Sequence, residues 1–231
     1  MSEWWTYRPS DFLLFSPRVY ERLIEAHNAA LWPFQPVGVL LGLILLVAVW
    51  RGRDGEARLA LAGLGVIAAW VGWSFLGQRY AAINWAAGYA EVGFAVEAVA
   101  LVAAGVVLRA PLATSNALRR ATAILLIAVA VVAYPLLSSL GDRSLASAET
   151  FAFMPEPTAI ATLGALATLR RRLALALGLV PLAWCLYAGM TLWTLGDAVA
   201  AAPLGAAALF LATLALGGRS RQVSGERLRS R

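Results

Sequence analysis

Apolar residues run along this chain in stretches long enough to cross a bilayer, for which a helix needs roughly 20 residues. The runs fall near 34–50, 59–77, 84–108, 121–140, 155–169, 173–195 and 199–217. They predict an all-α polytopic membrane bundle of about seven transmembrane helices. The shortest run, 155–169, follows "FAFMPEPT", in which Pro155 and Pro157 flank Glu156. It counts as a span because Arg170, Arg171 and Arg172 must emerge at a polar surface. Ahead of the first run the period changes. In "FSPRVYERLIEAHNAALWP", Ser16 is a natural N-cap and Pro17 fits the first helical position. Val19, Tyr20, Leu23, Ile24, His27, Ala30 and Leu31 then recur at helical spacing, with the charges elsewhere. This predicts an amphipathic helix lying on the membrane surface, as an anchor or as a lid over an outward-facing cavity. The expected organisation is an extracytoplasmic segment over 1–33, a transmembrane bundle over 34–217 and a basic cytoplasmic tail over 218–231.

Composition agrees with the bilayer as main solvent: 61% of the 231 residues are hydrophobic and 14% charged, with a mean hydropathy of +0.72. All 19 cationic residues are arginine, so no side-chain amine exists to form a Schiff base and a retinal-type photoreceptor is excluded. His27 and Cys185 are the single histidine and cysteine. Neither a disulfide, a His/Cys zinc site nor a bis-histidine haem can be assembled within one chain, and no cofactor or metal is expected.

The net charge of +6 reads as topology and not as a nucleic-acid footprint. Arg51, Arg53, Arg58, Arg109, Arg119, Arg120, Arg170, Arg171, Arg172, Arg219, Arg221, Arg227, Arg229 and Arg231 fall in alternate connections and the tail, against Arg8, Arg18, Arg22, Arg79 and Arg143 on the other side. The asymmetry predicts a cell inner-membrane protein with its N-terminus outside and its C-terminus cytoplasmic, which needs an odd number of spans. Trp4, Trp5, Trp32, Trp73, Trp85 and Trp193 then mark an outer aromatic belt. No basic stretch followed by an apolar core stands in the first thirty residues, so no cleavable signal peptide is expected.

Over Trp4 to Pro33, "WWTYRPSDFLLFSPRVYERLIEAHNAALWP" resembles the opening of an uncharacterised family of bacterial multi-pass membrane proteins. Its members share a Trp-Trp-x-Tyr, Ser-Asp-Phe-Leu-Leu-Phe-Ser-Pro and Asn-x-x-x-Trp-Pro pattern and are loosely labelled permeases. The resemblance implies membership and supplies no known activity or site residue.

Candidate chemistry lies in polar residues inside apolar runs. Such carboxylates are expensive in lipid and belong on a bundle interior or beside water. Glu91 and Glu97 sit in the third run; six residues of helix put them about 9 Å apart in depth and about 120° apart around the axis, so they do not form one paired acid/base site. Asn84, Gly88, Glu91 and Ala95 share a helical face with small residues, a face expected to approach a neighbour closely. Tyr134 precedes Pro135, with Ser138 and Ser139 above it, and Pro181 lies beneath Trp184, Cys185 and Tyr187. Proline frees a backbone carbonyl one turn earlier, and interrupted helices of this kind often hold ions or substrates. Glu97, Glu91, Asn84, Glu156, Tyr134 and Ser138 are therefore the candidate ligand- or ion-binding residues, lining one outward-facing cavity. The "GVLLG" of Gly38 to Gly42 is a helix-packing motif.

The leading expectation is a small permease or channel-like transporter of a small solute or ion, with the glutamates as proton or cation sites. The alternative is a membrane-embedded assembly or sensory subunit that binds a membrane partner or a second copy and transports nothing. An enzyme is disfavoured, since no HExxH, GxSxG or Asp-rich metal motif occurs.

Overall fold

The computed structural model describes residues 14–107, 116–137 and 144–217. Among the described residues ten α-helices follow one another: α1 (Pro17–Leu31), α2 (Gln35–Arg51), α3 (Asp54–Val71), α4 (Ala87–Val102), α5 (Ala117–Ala128), α6 (Tyr134–Leu137), α7 (Pro155–Ala167), α8 (Arg171–Leu177), α9 (Leu179–Thr194) and α10 (Ala201–Leu216). Wide π-type turns extend α3 over Gly72–Gly77 and α4 over Ala103–Val107, and join α5 to α6 over Val129–Ala133, just before Pro135. Each of the seven apolar runs contains helix, and the described residues form an all-α bundle as the pattern predicts.

The number of spans is revised. Among the described residues, four stretches are long and apolar enough to cross a membrane alone: Asp54–Ala82, Ala87–Val107, Ala117–Leu137 and Ala198–Leu216. The figure becomes six if α1 with α2, bent by 91°, and α8 with α9, bent by 54°, each count as one span. At 13 residues α7 is about 20 Å long, too short to cross alone.

Its surroundings explain why. Every residue from Glu149 to Leu169 is buried, so α7 is the centre of the bundle, enclosed by other helices and not by lipid. A helix with neighbours on all sides needs small side chains for close approach, and "PEPTAIATLGALA" supplies them. A Cβ on Gly164 would stand 2.9 Å from Ile127 Cγ1 and 3.0 Å from the Ala123 carbonyl oxygen, so α5 rests directly on α7. Gly38 and Gly42 act likewise on α2: side chains there would collide with the Phe151 carbonyl, the Phe153 ring and Val131.

Long-range hydrogen bonds define two ends. At one end Arg119 Nη1 donates to the Leu169 carbonyl at 2.7 Å, Asn116 Nδ2 donates to the Gly217 carbonyl at 3.2 Å, and Arg120 donates to the Trp50 carbonyl. This arginine-rich end also carries Arg51, Arg53 and Arg170 to Arg172. At the other end α1 lies across the bundle.

Candidate functional site

The inward stripe of α1 is Tyr20, Ile24 and His27, all buried at i, i+4 and i+7 spacing. The helix therefore docks its apolar face on the bundle. The Tyr20 hydroxyl donates to Glu156 Oε1 at 3.2 Å. His27 Nε2 stands 3.2 Å from the Phe153 carbonyl; a carbonyl only accepts, so this nitrogen carries the hydrogen. Asn28 Nδ2 donates to the carbonyls of Ala146 at 2.8 Å and Ala148 at 2.9 Å. Glu25 Oε1 accepts from the Ser144 hydroxyl at 2.5 Å.

Beneath α1, the segment from Glu149 to Met154 runs buried into α7. Ala152 adopts a left-handed conformation with φ of +69°, which a Cβ disfavours, and its N–H is held by Thr158 Oγ1 at 3.1 Å. The Glu149 and Glu156 side chains lie beside each other. Glu156 is 2% exposed. It stands in the first turn of α7, where the positive end of the helix dipole favours a carboxylate, and its Oε2 is buried without a hydrogen-bond partner. Two residues past the far end of α7, Arg119 Nη1 donates to the Leu169 carbonyl, which places a positive charge near the negative end of the central helix.

An aromatic bed adjoins this pair. Tyr20, Tyr80 and Phe15 contact one another, Phe75 stacks on Tyr80, and Trp184 meets Tyr80 edge-on. Burial, then the Glu156 and Glu149 carboxyls, push the Tyr20 phenol well above its ordinary range and keep it a donor. Burial is also the main cause that pulls the His27 imidazole down to about 4; the Phe153 bond opposes it and Arg79 adds to it.

The sequence candidates divide into three places. Glu156 and Tyr134 lie in the buried region under α1, Tyr134 being close enough to act on Tyr20. Asn84 stands beside them in a separate network: its Nδ2 donates to the hydroxyls of Tyr187 at 2.6 Å and Tyr80 at 3.2 Å, and its Oδ1 accepts the Ala86 N–H at 2.9 Å. It precedes α4 and is not on the helix, so the expected Asn84–Gly88–Glu91–Ala95 packing face does not form. Gly88 and Ala95 are exposed, and α4 packs through Ala87, Phe94, Ala98 and Leu101 instead. Glu91 is half-buried against the wide turn after α3, where a Cβ on Gly77 would lie 2.5 Å from its Oε1.

Glu97 stands apart from both, about 15 Å along α4, 5% exposed, with Oε1 buried and unpartnered. Gly93, one turn closer to α1 on the same face, lies against Val180, so Glu97 is level with the break between α8 and α9 at Gly178. That break falls three residues before Pro181, where the sequence placed the kink. Ser138 lies outside the described residues.

α1 covers the buried region around Glu156 with Tyr20, Ile24 and His27. A cleft of about 960 Å³ approaches from the side, lined by Tyr20, Glu21, Leu126, Asp197 and Leu209. Sequence reasoning passed over Glu149 and Tyr20. The available signal was "ETFAFMPEP", two acids flanking an apolar segment with no neutralising arginine.

The chain belongs to the family described as Family of unknown function (DUF6064), which matches residues 18–215. No curated protein matches it, and no solved structure does.

Proposed function

We propose that this protein is a small permease of the inner membrane, with α1 on the outer face, the arginine-rich end in the cytoplasm, and Glu97 and Glu156 as proton or cation sites along a solute path. The observation that carries the reading is Glu97. Its carboxyl is buried deep in an apolar bundle, with an unpartnered oxygen, level with a broken helix. Packing alone is served as well by an apolar side chain of the same size, and a lone intramembrane carboxyl is a costly thing to keep. Breaks such as that at Gly178 supply backbone groups to an ion or substrate in transporters. Glu156 is the outer station, beneath the cover that α1 forms.

The test is proton flux in liposomes holding the purified protein and an internal pH dye, under an imposed potential. Glu97→Gln is expected to insert and fold normally while abolishing flux; a Glu97→Gln protein with undiminished flux overturns the assignment. Reporters fused at residue 217 and ahead of residue 17 are expected on opposite faces, the former cytoplasmic.

A second reading, an assembly subunit, is favoured by the groove of about 400 Å³ between α4 and α9, lined by Tyr80, Tyr89, Phe94, Trp184 and Tyr187. A stoichiometric partner on purification, with no flux from the protein alone, selects it.

A further inference from the structure

The hydroxyl cluster at the end of the α4–α9 groove nearest α1 has a donor to spare. Asn84 Nδ2 donates to the hydroxyls of Tyr187 at 2.6 Å and Tyr80 at 3.2 Å. The two hydroxyls stand 2.8 Å apart, a contact that uses a single O–H. Asn84 Oδ1 is already taken by the Ala86 N–H, so one hydroxyl hydrogen has no acceptor within the cluster. Tyr80 is 2% exposed, whereas Tyr187 is 40% exposed and lines the groove. A spare donor on Tyr80 would be buried and unsatisfied, the costlier arrangement. Tyr80 therefore donates to Tyr187, whose oxygen accepts from both neighbours and whose own hydrogen is left for the groove.

Past this cluster the groove is apolar. Ala90, Gly93 and Phe94 of α4 face Val180, Ala183 and Trp184 of α9 around about 400 Å³, and the small residues among them leave the room. A Cβ on Gly93 would lie 3.7 Å from Val180 Cγ1, so the helices come together there and the groove closes. From Ala86 to Gly93 it follows α4 for about 10 Å. Exposed residues of the two helices, Tyr89 and Val92 on α4 and Leu179 and Leu186 on α9, are aromatic or aliphatic, so the groove opens sideways on hydrocarbon. Trp85 next to Asn84, and Trp193 further along α9, are exposed too. Tryptophans so placed mark a membrane interface, which puts the Tyr187 hydrogen at the depth of lipid esters and phosphates.

We propose that this groove is a phospholipid site: one acyl chain lies between α4 and α9, and an ester or phosphate oxygen of the same lipid accepts from the Tyr187 hydroxyl. A partner helix meets the acceptor requirement less well, because its backbone carbonyls are spent within the helix. A water-soluble ligand has no route to an opening that faces hydrocarbon. A phospholipid brings bare acceptors at this depth and an apolar chain beneath them. The site is independent of transport: the groove ends at Gly93, one turn short of Glu97, so a protein that moves no protons still holds the lipid.

The test uses full-length protein reconstituted with phosphatidylcholine that carries a photoactivatable diazirine midway along one acyl chain, and cross-linked residues are mapped by peptide mass spectrometry. Labelling is expected to concentrate on residues 90–94 and 179–183, above the level at a lipid-facing position such as Val96, which is exposed. Tyr187→Phe removes only the donor and is expected to lower groove labelling about two- to tenfold while labelling at Val96 stays unchanged. Ala183→Trp fills the groove and should abolish its labelling. The diether form of the lipid assigns the acceptor: groove labelling that survives there identifies the phosphate, and labelling lost there identifies the ester carbonyl. Groove labelling no higher than at Val96 overturns the proposal, as does labelling undiminished by Tyr187→Phe or by Ala183→Trp. A co-purifying protein that Ala183→Trp releases, with the wild-type groove unlabelled, overturns it in favour of a partner helix. If Ala183→Trp fails to fold, Ala90→Phe fills the same space from α4 and decides.

Discussion

The Tyr20 hydroxyl donates to Oε1 of Glu156 at 3.2 Å although 136 positions separate the two residues. One bond thereby ties a helix on the bundle's end to the helix at its centre. Tyr20→Phe removes the donor, keeps the ring among Phe15 and Tyr80, and leaves a buried carboxyl oxygen unsatisfied. Loss of such a bond costs about 1–3 kcal/mol. Hydrogen exchange of α1 amides is expected to accelerate accordingly while exchange in α7 and α10 stays unchanged.

His27 predicts how the cover responds to acid. Its imidazole has a usual value of 6.5 and is held down to about 4 when docked, so the docked state takes up a proton later than the undocked one. The His27 contribution to docking is therefore fully present above about 6.5 and is lost as pH falls from there towards 4, by up to about 3 kcal/mol. α1 exchange protection measured across that window should decline in wild type. His27→Gln, which retains a donor for the Phe153 carbonyl and does not titrate, should show a flat profile.

Gly38 faces the Phe151 carbonyl and the Phe153 ring with no room for a Cβ. Since one obstacle is backbone, rotamer adjustment does not relieve it. Gly38→Val is expected to cost about 1–3 kcal/mol and to lower the melting temperature in detergent, whereas Gly55→Ala, where nothing lies within 4 Å, should leave it unchanged.

Arg119 closes the opposite end of α7 through the Leu169 carbonyl at 2.7 Å and is 5% exposed. Arg119→Met leaves that carbonyl without its donor and removes a positive charge from the negative end of the central helix. A loss of about 2 kcal/mol is expected, read as a lower thermal midpoint.

Glu97→Leu separates packing from chemistry. With one carboxyl oxygen unpartnered and buried, an apolar side chain of similar volume is expected to match or raise thermal stability, within about 1.5 kcal/mol, while proton flux is lost. A large fall in stability would show that Glu97 serves packing.

Hydropathy alone determined the helical class, the seven apolar segments and the alternation of arginine, because burial in lipid imposes a length and a composition that each segment carries locally. The amphipathic period of α1 was equally local, and so was the close approach at Gly38 and Gly42. What the sequence did not determine is which neighbour each face meets. The short, proline-led 155–169 run looked like a weak span; only tertiary structure made it the enclosed centre, because its small residues are compatible with lipid or with helices on every side. Helical spacing placed Asn84 on the face of Glu91, whereas the chain turns before α4 begins and sends that amide to Tyr187. The meeting of Tyr20 with Glu156 joins two stretches of chain that are 136 positions apart. Periodicity describes one helix at a time, and such meetings are decided only when the helices pack.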